Sequence, residues 1–308
     1  MKFNLKAKKI WVTGPNGMVG KALIDELKGK CKKIFSINRK KLDLKNQQAV
    51  SKWVSKNKPD IIIMTAAKVG GIYANSEYPG EFIYDNLQIQ NNVIESARKN
   101  KIKKLIFIGS SCIYPKNSKQ PIKEEYLLTS SLEKTNEWYA IAKIAGIKMI
   151  QAYRKQYNCQ YIALMPCNMY GPNDNYHPKN SHVLAALIKK FVEAKIKKRK
   201  KVEVWGSGKP FREFMHVSDF VKAVVFCIKR YNKDEPVNIG SGTQIKIIDL
   251  AKKISKILKY QGKIILNKKY PDGTYKKLLN SHKIKKLGWR PKVSLDKGIA
   301  QTIKNYPN

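Results

Sequence analysis

No two cysteines of this sequence stand in a CxxC arrangement, and no histidine stands at zinc-finger spacing from a cysteine. The five cysteines, Cys31, Cys112, Cys159, Cys167 and Cys227, are odd in number. Both facts argue against a disulfide framework and a structural zinc, and no metal is expected. No run approaches the ~20 apolar residues that a membrane span needs. The segment Met1–Ile10 is basic but has no apolar stretch of the signal-peptide kind. The expectation is a protein of the reducing cytoplasm with no membrane partner. Internal repeats and Pro/Gly/Ser-rich linkers are also lacking, so no compositional boundary separates consecutive domains.

Acidic residues are scarce: 22 Asp and Glu face 62 Lys and Arg, a formal charge of +40. So basic a chain raises nucleic acid or an anionic surface as a partner. The lysines, however, are spread over every segment. Their densest run, Lys195–Lys201, falls between a helical pattern and a strand and reads as a solvated loop. Nucleic acid is not the expected partner; an anionic small substrate would gain from the same field. What is present is ample apolar material. Hydrophobic residues make up 43% of 308, with five Trp, nine Phe and sixteen Tyr, enough for a real core and for an α/β unit with an added lobe.

The short apolar run Lys9–Val12 enters Thr13–Gly14–Pro15–Asn16–Gly17–Met18–Val19–Gly20, and Ala22, Leu23, Ile24 and Leu27 then recur at helical spacing. This is strand, glycine turn, helix. The GxxGxxG spacing lets the backbone turn, approach a pyrophosphate and pack helix on sheet, with the helix N-terminus facing the phosphates. A second strand, Lys33–Ile37, ends in Asn38 and Arg39 where an NAD enzyme would present an acid. A neutral residue followed by arginine suits a 2′-phosphate, so NADPH is expected, with Asp43 near the adenine. Pro59–Met64 reads as a third strand, delivering Thr65, Ala66 and Ala67 to its carboxyl end. A helix over Pro79–Lys99 and a fourth strand, Lys104–Gly109, follow. The alternation predicts a doubly wound parallel sheet whose ligands gather at the strands' carboxyl ends.

Strand four runs into Ser110–Ser111–Cys112, and the next helix carries Tyr139 four residues before Lys143. Residues at i and i+4 share a helix face. A hydroxyl, a phenol and an ammonium therefore converge where the nicotinamide would lie. That set suits carbonyl reduction: Ser110 orients the carbonyl, Tyr139 protonates the incipient alkoxide, and Lys143 depresses the tyrosine pKa while bonding the cofactor ribose. A fifth strand, Asn158–Pro166, leads to Cys167–Asn168–Met169 beside the cofactor. Gly171–Pro178 reads as loop, Ser181–Glu193 as an amphipathic helix, and Val237–Gly240 as a strand returning to the sheet. Lys246–Leu258 and Leu295–Ile303 are further helical patterns.

At these motifs the chain resembles the extended short-chain dehydrogenase/reductases. The strings AAKVGGI (66–72), GSSCIYP (109–115), YAIAKIAGIK (139–148), NMYGPNDNYHPKNSHV (168–183), WGSG (205–208), REFMHVSD (212–219) and PDGT (271–274) are similar to those of members acting on GDP-4-keto-6-deoxy sugars. The resemblance covers nearly the whole chain. It implies epimerisation of GDP-4-keto-6-deoxy-D-mannose at carbons 3 and 5, then reduction of the carbon-4 ketone with NADPH to give the L-fuco sugar nucleotide. It adds Cys112 and His182 as the epimerisation acid/base pair. It also assigns the GDP-sugar to Lys190, Trp205, Arg212 and Asp272, and the cofactor to Gly109, Pro166, Asn168, Met169 and His182 in addition to the glycine turn, Arg39, Asp43, Ala66, Ala67 and Lys143. Family members pair as homodimers through helices, which here would be the Pro79–Lys99 and Tyr139–Tyr157 segments. The implied domains are interleaved: residues 1–166 with about 209–245 for NADP, and 167–208 with about 246–308 for the sugar nucleotide. Two other readings stay open. One is an enzyme of the same kind acting on a dideoxy sugar or heptose; the other is a catalytically idle, basic nucleotide- or RNA-binding module.

Overall fold

The structure is a computed structural model and describes residues 4–178, 180–270 and 272–307. Lys179 and Pro271, which fall within two of the motif strings, lie outside the described residues. In chain order the first half runs β1 (Lys9–Thr13), α1 (Met18–Leu27), β2 (Lys33–Phe35), α2 (Gln47–Asn57), β3 (Ile61–Met64), α3 (Ile72–Glu77), α4 (Pro79–Lys99), β4 (Lys104–Ile108), α5 (Glu137–Tyr157) and β5 (Gln160–Pro166). The second half continues β6 (Asn168–Tyr170), α6 (Val183–Ile196), β7 (Lys201–Trp205), β8 (Phe211–His216), α7 (Val217–Arg230), β9 (Val237–Ile239), β10 (Gln244–Lys246), α8 (Ile247–Leu258), β11 (Lys263–Asn267), α9 (His282–Lys286) and α10 (Leu295–Lys304).

Six strands form one parallel sheet in the order β2-β1-β3-β4-β5-β9. Helices cover both faces, so β3 and β4 are buried at every residue, as their unbroken apolar character requires. The order reverses between β1 and β3, which opens a crevice at their carboxyl ends. This is the doubly wound fold the alternation predicts. Lys104 is the exception in β4: it is buried, its Nζ is 3.4 Å from the Tyr231 carbonyl oxygen, and burial pushes its pKa down to about 8.

A second hydrophobic cluster lies beneath α6, α8 and α10, with β7 and β8. Its strands form a three-stranded sheet, β10-β8-β6, and a parallel pair, β11-β7. Hydrogen-bonded polar side chains lie between the large sheet and the segments packed against it. The Glu213 carboxylate accepts from Gly242 N at 2.7 Å, Leu279 N at 2.9 Å and Ser241 Oγ at 3.4 Å. Tyr114 donates to Asn238 Oδ1 at 2.6 Å, and Asn238 Nδ2 donates to Ile122 O and Asn280 O.

Element edges differ from the sequence reading where a cap decides them. β5 starts at Gln160 because Asn158 takes the left-handed conformation (φ 53°) that closes α5. α6 starts at Val183, with His182 as its N-cap, and reaches Ile196. The lysine run therefore begins in a helix and ends in β7, with only its middle a loop, and all seven residues are exposed. Among the described residues no helix is long and apolar enough to cross a membrane.

Candidate active site

The glycine turn after β1 is built for close approach. Gly14 has φ +64°, and a Cβ there would stand 2.9 Å from Ala66 Cα; at Gly20 a Cβ would stand 2.1 Å from Gly14 O. Gly17 caps α1 without a side-chain bond, leaving the first-turn N–H groups of that helix to a ligand. Arg39, beyond β2, points an exposed guanidinium along the same crevice with Nε 3.9 Å from Asp43 Oδ2. Asp43 thus meets the arginine. A backbone cradle that admits no Cβ, an uncapped helix terminus and a cation beyond the second strand fit a dinucleotide diphosphate bearing a 2′-phosphate.

Ser110 follows β4 in extended conformation, its Oγ accepts from Cys112 N at 3.2 Å, and it lines the same cleft as the Tyr139 phenol. Ser111 is buried at the start of a short 3-10 turn, and it is the Ser110 hydroxyl that acts on the phenol. Lys143 lies one turn after Tyr139 on α5, its Nζ 5.8 Å from the centre of the tyrosine ring. That ammonium donates to Ile108 O at 3.0 Å and is 4% exposed. Burial pushes Lys143 down to about 8. It also raises the Tyr139 pKa well above its ordinary value; negative charge at Cys112 adds to this and the Ser110 hydroxyl opposes it. The expected lowering of the phenol by Lys143 is thus not what this geometry gives. Burial is the largest cause of both shifts, and both groups are driven toward their neutral forms.

Cys112 is half-buried and faces two donors: Asn136 Nδ2 at 3.2 Å and Lys277 Nζ at 3.8 Å. His182 opens to the cleft while protein surrounds its other sides, and this burial lowers its pKa, which favours the neutral imidazole.

On the far wall, Lys190 Nζ donates to Glu203 O at 2.9 Å and sits 4.4 Å from the centre of the Trp205 ring. Lys189 instead pairs with Glu193. Trp205 is not core: it stacks on Tyr270 with centres 4.1 Å apart and planes at 12°. Arg212 does not pair with its neighbour Glu213; it donates to Phe211 O at 2.7 Å and Thr274 O at 2.6 Å. Asp272 accepts from Ser207 N at 2.9 Å and from Ser207 Oγ. Every site residue named from the sequence lines one cleft of about 1090 Å³. No group of three or more His, Cys, Asp or Glu side chains among the described residues is placed to hold a metal.

Residues 10–240 match the model of the NAD dependent epimerase/dehydratase family. The chain belongs to that family. A GDP-L-fucose synthase of Sinorhizobium fredii is 50% identical over 302 residues, 98% of this chain and 96% of the relative. Among solved structures, a GDP-6-OMe-4-keto-L-xylo-heptose reductase from C. jejuni superposes with TM-score 0.93 at 34% identity, covering 99% of each chain. A GDP-L-fucose synthetase from Naegleria fowleri bound to NADP gives TM-score 0.92 at 26% identity, over 99% of this chain and 96% of that one.

This epimerase/dehydratase family chain also places side chains in the cleft that sequence reading missed. Asn136 and Lys277 stand beside Cys112, Thr135 lines the cleft next to Asn136, and Asp174 lies in the loop before His182. Burial pushes the Asp174 carboxyl up to about 7; its Oδ1 accepts from Asn175 N, and its Oδ2 is buried with no hydrogen-bond partner. Asn136 directly precedes the Tyr139 helix, but its contact with a residue 24 positions earlier leaves no signal in local spacing.

Proposed function

We propose that this chain is an NADP-dependent GDP-L-fucose synthase, converting GDP-4-keto-6-deoxy-D-mannose to GDP-L-fucose by epimerisation at carbons 3 and 5 and reduction at carbon 4. The observation that carries this reading is the meeting of Cys112 and His182 with Ser110, Tyr139 and Lys143 in one cleft. A simple ketone reductase needs only the last three. The 50% identity to a GDP-L-fucose synthase, against 34% to a heptose reductase, supports the same substrate.

Protons on the carbons beside a ketone are acidic because the enolate is delocalised. Inversion needs one group to take a proton from one face and another to return it on the other. Cys112 and His182 are assigned to these faces, since thiols and imidazoles titrate near enough to neutrality. At carbon 4, Ser110 orients the carbonyl and Tyr139 delivers a proton to its oxygen. NADPH supplies the hydride when bound, held by the glycine turn, Arg39 and Lys143. Lys190, Trp205, Arg212 and Asp272 are assigned to the guanine nucleotide and sugar, the two cations suiting the diphosphate.

The test is NADPH consumption with GDP-4-keto-6-deoxy-D-mannose in deuterated water, followed by NMR of the product. An L-fuco product deuterated at carbons 3 and 5 supports both half-reactions. NADPH consumption without deuterium entry would reduce the protein to a 4-reductase. We further expect a cytoplasmic homodimer through α4 and α5, a reading supported by exposed Tyr84, Trp138, Ile141 and Tyr157 on those helices. Sedimentation at several concentrations tests it. Nucleic acid is not an expected partner despite the charge, and a salt titration of any RNA binding tests that.

A further inference from the structure

Asn136 is the N-cap residue of α5, and asparagine is among the best capping side chains, worth about 1 kcal/mol to a helix. Yet its side chain makes no capping bond. It turns instead to Cys112, donating from Nδ2 to Sγ at 3.2 Å. Lys277 Nζ approaches the same sulfur at 3.8 Å. A cysteine side chain has three staggered positions about its one torsion, and donors fixed around the sulfur select one of them.

The other end of the amide is equally telling. Asn136 Oδ1 is buried with no hydrogen-bond partner, as is Oγ1 of neighbouring Thr135, and both residues line the cleft. Leaving a buried acceptor unpaired costs about 1–3 kcal/mol. In the wall of a cleft, such an acceptor is free to take a hydrogen bond from a ligand hydroxyl.

We propose that Asn136 is the positioning residue for epimerisation: its N–H holds the Cys112 sulfur while its carbonyl accepts a hydrogen bond from a sugar hydroxyl beside the reacting carbon. The inference rests on the epimerase reading of Cys112. In the step it serves, a carbon–hydrogen bond beside the ketone breaks, the proton passes from carbon to sulfur, and the electron pair enters the enolate. Asn136 gains and loses no proton, and nothing is oxidised.

The test uses full-length Asn136→Ala, with Asn136→Ser carrying the same measurements should the alanine variant lose NADPH binding. In the first arm, Cys112 alkylation by iodoacetamide is followed by peptide mass spectrometry across pH, with NADPH bound and no sugar present. Loss of a donor that fixes the sulfur slows alkylation several-fold at pH 7. A side chain that merely filled space would instead leave the sulfur more open when removed. Alkylation that is unchanged, or faster at every pH, overturns the proposal. In the second arm, deuterium entry at carbons 3 and 5 is measured with NADP⁺ bound, where no hydride can be transferred. At least a tenfold fall with unchanged NADPH affinity is expected, and exchange within twofold of the parent overturns the proposal. The alkylation arm needs no sugar, so it still decides the matter if the parent enzyme fails to turn over GDP-4-keto-6-deoxy-D-mannose.

Discussion

The Lys143 ammonium is hydrogen-bonded to the Ile108 carbonyl at 3.0 Å, tying α5 to the end of β4 just before Ser110. The bond sets the spacing of phenol and serine as well as the charge beside them. Lys143→Met is expected to lower the reduction rate by about 10²–10⁴, the usual range for a lost proton-transfer partner. Because burial holds Lys143 at about 8, the reduction rate should fall above that pH as the ammonium is lost. Whatever activity Lys143→Arg retains should not show that fall, since arginine stays charged. Single-turnover rates from pH 6 to 10 check both.

Arg39 is the cation we assign to the 2′-phosphate, and its side chain is 73% exposed beside Asp43. A charge-assisted hydrogen bond is worth about 1.5–3 kcal/mol, so Arg39→Ala should raise the KM for NADPH by about 10- to 100-fold. The KM for NADH should stay within twofold. Equal losses for both cofactors would remove the arginine from this role.

The two halves of the proposed reaction should separate by mutation. Tyr139→Phe is expected to abolish hydride transfer yet still admit deuterium at carbons 3 and 5, whereas Cys112→Ser should suppress deuterium entry first. NMR of the recovered sugar nucleotide distinguishes them. A Tyr139→Phe enzyme that binds substrate but exchanges no deuterium would contradict the division of labour.

Gly20 tests the cradle itself. A Cβ there meets backbone atoms, Gly14 O at 2.1 Å and Gly14 C at 2.9 Å, which cannot swing aside as a side chain would. Gly20→Ala should cost about 1–3 kcal/mol or more through overpacking and push the turn out of shape. Calorimetry with and without NADPH should show a lower Tm and little cofactor-induced rise.

Asp174 links the cleft to stability. Its carboxyl stays protonated to about pH 7 in the folded protein and ionises near pH ~4 when unfolded. Between those values the unfolded chain releases its proton first, so stability falls as pH rises. Asp174→Asn keeps an acceptor for the Asn175 N–H and removes the ionisation. Its Tm should exceed the parent's at pH 8, with a ceiling of ~4 kcal/mol from the shift, and coincide with it at pH 4.

Much of this was legible because strands and phosphate turns are local. The apolar runs at β3 and β4, the glycines at 14, 17 and 20, and the four-residue step from Tyr139 to Lys143 each carry their meaning within one turn or strand. The helix at Pro79–Lys99 falls on the predicted residues because Pro79 opens it and basic residues close it. What could not be read joins distant segments. Lys277 meets Cys112 across 165 positions, and Trp205 finds Tyr270 only because β7 and β11 pair in parallel. The direction of the Tyr139 shift also eluded sequence reading, since it depends on how much protein surrounds the phenol rather than on which cation follows it.

The acceptor for Arg212 is Thr274, the second donor to Cys112 is Lys277, and Leu279 closes on the Glu213 carboxylate. Ile122 exchanges backbone bonds with Leu278 and Asn280 at 2.7 Å each. All of these come from one stretch near the end of the chain, after every strand of the large sheet. During synthesis the large sheet is therefore complete before this part of the cleft wall exists. A chain halted ahead of residue 272 would carry the glycine turn, Arg39 and Lys143, but would lack the Thr274 acceptor of Arg212 and the Lys277 donor to Cys112. The surroundings of Cys112 and Arg212 are finished only when residues 272–280 arrive.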